Sequence, residues 1–175
     1  MIPADSNFSA AGRRASAAGA LALLAALAGG PARGDVGLSQ LAATDQDGPV
    51  TLYYPSSNDA YVVKRGPYTF RMAENGAPVR GNGRLVVVSH GTGGTPWVHA
   101  DLAQRLVEAG FVVALPEHQG DSFRDHSDNV GALSRRPLEV SRTIDAMGRD
   151  PRFAPLLDLG KVGVYGMSAG GHTRR

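Results

Sequence analysis

The chain has 175 residues, enough for one domain, and 42% of them are apolar, so a sizeable core can be buried. The formal charge of +2 comes almost entirely from arginine, with Lys64 and Lys161 the only lysines, and no basic stripe with interleaved aromatics points to nucleic acid. There is no cysteine, which excludes disulfides, thiolate metal sites and a lipid-anchored leader cysteine.

At the N-terminus, Arg13 and Arg14 precede an Ala- and Leu-rich stretch up to Ala28 that is too short to span a bilayer comfortably. Small residues at Ala26 and Ala28 follow the apolar run. The pattern reads as a signal peptide over 1–28, cleaved near Ala28 or Ala32, and predicts export to the periplasm or the exterior. The paired arginines hint at the twin-arginine route, although Ala15 and Ser16 fit it poorly. Without cleavage, the same stretch would be an uncleaved anchor or an Ala-rich extension. Residues 29–47, rich in Gly, Ala and Asp, read as a lead-in to a domain over 48–175.

From Val50 the pattern turns to strand. Val50-Thr51-Leu52-Tyr53-Tyr54 is β-branched and aromatic and should end at Pro55. Ser56 to Asp59 is a turn cluster, and Tyr68 to Met72 can form another short strand. The Asn-Gly-rich segment from Ala73 to Arg84 reads as loop. Leu85-Val86-Val87-Val88 is a continuous apolar run, as suits a strand covered on both faces. Leu102, Leu106, Val107 and Ala109 follow at helical spacing, with Gly110 as the stop. Phe111 to Leu115 is a second buried strand. Pro137 is placed to open a helix whose inner face carries Val140, Ile144 and Met147. Val162-Gly163-Val164-Tyr165 is a third apolar strand. Alternation of strands and helices implies crossover connections, hence an α/β fold with a mostly parallel sheet and helices on both faces. Ligands of such sheets sit beyond the carboxyl ends of the strands.

Two Gly-rich turns fall at such ends. Gly166-Met167-Ser168-Ala169-Gly170 follows the third apolar strand and has the form of a strand-to-helix turn that projects a serine above the sheet. Ser89-His90-Gly91-Thr92-Gly93-Gly94 follows the first. An acyl-transfer site needs backbone N–H groups aimed at the developing oxyanion; in hydrolases with such an elbow a Gly-rich turn and the residue after the serine supply them, and here these would be Thr92 and Ala169. The alternatives for the second turn are a tight strand-helix turn or a phosphate cradle, of which the cradle is disfavoured. The spacing of a phosphate-binding or dinucleotide-binding loop is absent.

With both turns in order on apolar strands, the stretch from Leu85 to Thr173 resembles the α/β-hydrolase superfamily. Within it, the chain is similar to dienelactone-hydrolase-like and platelet-activating-factor-acetylhydrolase-like bacterial esterases. The residues that carry this are Val87 to Gly94, Pro116-Glu117-His118-Gln119-Gly120-Asp121, Arg136-Pro137 and Val164 to His172. The strand from Val50 to Pro55 and Gly66-Pro67-Tyr68 also fit. The resemblance implies a serine hydrolase of carboxylic esters with Ser168 as nucleophile, no cofactor, no metal and a small-molecule ester as partner. Dienelactone hydrolases are expected to carry cysteine at the elbow, so Ser168 favours esters without naming a lactone.

That family's triad runs serine, acid, histidine along the chain. His172 is the sole histidine after Ser168 and stands too near it, so the acid and base are expected beyond Arg175, in a fuller chain of which this is the N-terminal part. The rival reading is a non-catalytic fragment of such a hydrolase; a lipase, thioesterase or polyester hydrolase on the same fold is a closer alternative. His90 is expected to support the turn after the first strand structurally. His118 and Asp121 are expected on the rim of the substrate site. His99, Asp125 and His126 fit no metal-ligand spacing. Trp97 and Phe123 are expected to pack, with pocket lining as the alternative, and Asp158 to close a loop.

Overall fold

The computed structural model describes residues 34–173, and the predicted signal peptide lies outside them. The described residues form a seven-stranded sheet of order β3-β4-β1-β2-β6-β5-β7. Its strands are β1 (Asp35–Leu41), β2 (Val50–Ser56), β3 (Tyr61–Arg65), β4 (Tyr68–Glu74), β5 (Leu85–Ser89), β6 (Val112–Pro116) and β7 (Val162–Gly166). The fold is α/β, as expected.

The sheet is mixed. β5 pairs in parallel with β6 and β7, and β1 with β4, whereas β1–β2, β2–β6 and β3–β4 are antiparallel. The parallel trio β6-β5-β7 carries the crossovers, so both Gly-rich turns emerge at one end of it. β2 runs the other way, and Val50 at its start sits opposite Pro116 at that same end.

Two helices cover the two faces. Helix α1 (Ala100–Glu108) buries Ala100, Ala103 and Val107 against Tyr53, Val88, Val113 and Leu115. Helix α2 (Asn129–Arg149) buries Val140 and Met147 on the opposite face, with Leu52, Tyr54, Leu85, Val87 and Ala114. Gly110, at φ 87°, turns the chain out of α1 as the sequence predicts.

Several boundaries differ from expectation. Pro55 lies inside β2, where its missing N–H is tolerated at the end of the pairing with β1. Part of the expected lead-in is β1, paired along its whole length with β2. β3 follows the turn cluster directly and closes a hairpin onto β4. Pro137 does not open α2 but sits inside it. The helix starts two turns earlier because Asp128 caps it, its carboxylate accepting from Gly131 N–H at 2.9 Å.

Candidate active site

Ser168 sits between β7 and a short 3₁₀ turn (Ser168–Thr173), with φ at 52°. A non-glycine residue in this left-handed region costs of the order of 1 kcal/mol or more, and such residues cluster at functional sites. The residue is exposed at the end of the sheet. The two flanking glycines are required by close packing. A Cβ on Gly166 would overlap the carbonyl of Gly170, and one on Gly170 would overlap the carbonyl of Ser89. The elbow thus folds over the end of β5, fastened by Met167 N–H to Ser89 O at 3.2 Å, Gly170 N–H to Met167 O at 2.8 Å and the Thr173 hydroxyl to Gly170 O at 2.6 Å.

The turn Ser89–Gly94 abuts this elbow. A Cβ placed on Gly91 would stand 3.4 Å from the Ser168 Cβ. Thr92 is exposed on the turn, and its backbone N–H has no partner among the described residues. Ala169 is buried directly after the serine. The structure therefore brings Ser168, Ala169 and the Thr92 turn together.

Beneath the turn lies a buried polar network. His118, Asp121, Arg136 and Glu139 are all 2% exposed or less. His118 and Asp121 therefore do not form a surface rim. Desolvation is offset in large part by hydrogen bonds, although Arg136 Nε and Glu139 Oε1 are buried without a partner among the described residues. Asp121 accepts from Gly93 N–H at 2.7 Å and from the Arg136 guanidinium at 2.8 Å. Arg136 also donates to the carbonyls of His90 and Gly91, the latter at 3.4 Å. His118 Nε2 meets the Ser89 hydroxyl at 2.7 Å, and its Nδ1 meets the Glu139 carboxylate.

Protonation follows from burial. Desolvation lowers the His90 pKa from 6.5 to about 4, against a smaller upward pull from its bond to the Gly91 carbonyl. Its Nδ1 lies 2.7 Å from that carbonyl, and its Nε2 accepts from His118 N–H at 3.4 Å. A neutral ring with the proton on Nδ1 satisfies both contacts. Desolvation also lowers the His118 pKa, outweighing the opposing hydrogen bond to Glu139. With its proton on Nδ1 it donates to Glu139 and accepts from Ser89.

Of the five histidines, His90, His99 and His118 are buried, and His126 and His172 are exposed. The His126 ring lies over the turn, 3.0 Å from a Cβ built on Gly93. The Ser168 hydroxyl has no side-chain partner among the described residues. Trp97 lines a cleft of about 310 Å³ with Thr51, Gln40, Glu74 and Arg124, and also packs against Phe70. Phe123 is exposed under the Arg124 guanidinium. Asp158 pairs with Lys161 in the turn before β7. Among the described residues no group of three His, Asp or Glu side chains could hold a metal ion.

Sequence reasoning missed Glu139 and the role of Arg136, which entered only within the resembling stretch. The signal was present: Ala132, Arg136, Glu139, Val140, Thr143 and Met147 fall on one helical stripe, and all are buried. A cation and a carboxylate on an inward stripe announce a buried network.

No family model matches the chain, and neither does any curated protein. Among solved structures it is similar to a ferulic acid esterase from Streptomyces cinnamoneus, with a TM-score of 0.62 and 22% identity over 82% of this chain. The match spans 55% of that esterase's chain. At this identity the likeness establishes the α/β architecture the two chains share.

Proposed function

We propose that the chain carries the nucleophile and oxyanion side of a serine hydrolase for carboxylic esters. The observation that carries this is the strained, exposed Ser168 lodged against the Gly91–Gly93 turn. Ser168 attacks the acyl carbonyl, and the N–H groups of Thr92 and Ala169 receive the oxyanion. The alcohol leaves, an acyl-serine forms, and water releases the acid. The esterase title of the structural neighbour supports the same class, and the motifs shared with dienelactone-hydrolase-like and platelet-activating-factor-acetylhydrolase-like enzymes point to small esters.

Such chemistry needs a base to take the serine proton. His90 and His118 are committed to buried hydrogen bonds, and His172 stands on the same short turn as Ser168. In our reading none of the described histidines is that base, and the 175 residues alone turn over little ester. The test is hydrolysis of a short p-nitrophenyl ester by this chain and by an extended form, with Ser168→Ala as control. Turnover confined to the extended form and lost with Ser168→Ala is expected. Robust turnover by the 175 residues, lost with Ser168→Ala, would place the base within them, and exposed His126 would be the first to substitute. Ester turnover by the extended form that survives Ser168→Ala would overturn the reading.

We also propose that residues 1–28 direct export. Fusing residues 1–40 to a periplasmic reporter should give a processed, exported product; a cytoplasmic, uncleaved product would contradict it.

A further inference from the structure

We infer that Arg136 is the positioning residue of the oxyanion turn, setting and polarising the Thr92 N–H from behind. This rests on the reading of Thr92 as an oxyanion donor. In a trans peptide the C=O and N–H point in opposite directions, and none of the described peptide bonds is cis. The Gly91 carbonyl and the Thr92 N–H belong to one peptide plane. That carbonyl accepts from Arg136 at 3.4 Å, from His90 Nδ1 at 2.7 Å and from Gly94 N–H at 3.1 Å. The buried Arg136 and His90 hold it inward and Gly94 N–H closes the turn around it, so the Thr92 N–H faces away from the buried guanidinium, on a turn that abuts Ser168. The next plane is fixed in the opposite sense: Gly93 N–H points inward to Asp121 at 2.7 Å. Arg136 ties the two planes together, since the guanidinium group that reaches the Gly91 carbonyl also holds Asp121 at 2.8 Å.

Polarisation follows from the same geometry. A carbonyl that accepts from a cation draws charge from its own amide, and the N–H at the other end of the plane becomes a stronger donor. The guanidinium is fully buried, so water does not screen it. Lysine offers a single ammonium in place of the planar fork and cannot reach the His90 and Gly91 carbonyls and Asp121 in the same geometry. The functional consequence is a preformed donor for an anion, requiring no reorientation when a tetrahedral centre appears beside Ser168.

The test uses the full chain labelled with ¹⁵N, alone and with phenylboronic acid, whose serine adduct is a tetrahedral anion. The variants are Arg136→Lys and the pair Arg136→Gln with Asp121→Asn, which leaves no orphan buried charge. In the parent, the Gly93 amide should exchange slowly and the Thr92 amide fast, and the boronate should shift the Thr92 amide downfield. In the paired variant the free Thr92 amide should move upfield and boronate affinity should fall about tenfold, the scale of one charge-assisted hydrogen bond; Arg136→Lys should fall between the two. An unaltered Thr92 shift and unaltered affinity in folded variants would overturn the inference while leaving Thr92 as a donor. A boronate that reaches Ser168 without moving the Thr92 amide would remove Thr92 as a donor, and this inference with it. Should both variants fail to fold, a rapidly exchanging Gly93 amide in the parent would still overturn it, and a protected one would support it.

Discussion

The two turns that meet at Ser168 are held in place by different physics. The turn after β5 is fixed by side chains reaching it from elsewhere: Arg136 from α2, and His118 and Asp121 from the loop after β6, with Glu139 of α2 holding His118 in place. The elbow after β7 is fixed by steric fit, with two glycines laid against neighbouring carbonyls and a serine forced to positive φ. Their strands differ as well. β5 lies between β6 and β7 with four of its five residues buried, whereas β7 is at the sheet edge among the described residues, with Tyr165 42% exposed. One turn should therefore be sensitive to charge and pH, and the other to added volume.

The strongest way to break this contrast is Arg136→Met. It leaves the Asp121 carboxylate buried without its cation, which should cost about 3–5 kcal/mol. Urea denaturation reads the loss, and adding Asp121→Leu should recover part of it.

Acid should act on the same turn. The His90 pKa is lowered in the fold from 6.5 to about 4. Between those values the unfolded chain binds a proton that the folded chain does not, so stability falls as pH drops through that window and levels off below it. His90 is 1% exposed, so the shift corresponds to about 3 kcal/mol. His118 shifts in the same direction and adds to the loss. Unfolding free energies measured across that range should flatten in His90→Asn if His90 is a main source.

At the elbow, Gly170→Ala places a methyl into the Ser89 carbonyl and should cost about 2–3 kcal/mol. The neighbouring Gly171 has open space around a built Cβ, so Gly171→Ala should change stability by less than about 0.5 kcal/mol. Equal losses from the two would contradict the steric account. The one gain in stability is expected from Ser168→Gly. Glycine takes positive φ without strain, so the chain should be stabilised by at most about 1 kcal/mol while losing the proposed nucleophile.

The same contrast explains what the sequence reveals. The elbow is legible because steric demands act over a few residues: Gly166, Ser168 and Gly170 announce their geometry by spacing. The apolar runs from Leu85 and Phe111 are legible because full burial leaves no polar alternation. β1 is harder to see, since Gly37, Ser39 and Gln40 dilute its pattern and its pairing with β2 supplies the missing preference. Pro137 misleads because its rigid φ suits a helix start, while the Asp128 cap and the burial of Arg136 extend the helix past it. His118 and Asp121 read as lying on the rim of the substrate site because their partners lie 15 to 29 residues away in the chain. No local spacing encodes such a network, although the inward stripe of α2 holds half of it.

The proposed site requires the two turns to converge on one reacting centre. A crystal structure of the chain soaked with phenylboronic acid tests this. Boron is expected on the Ser168 hydroxyl oxygen, with one boronate oxygen within hydrogen-bond distance of the Thr92 and Ala169 N–H groups. Boronate bound elsewhere with Ser168 free, or bound to Ser168 with its oxygens turned away from Thr92, would contradict it.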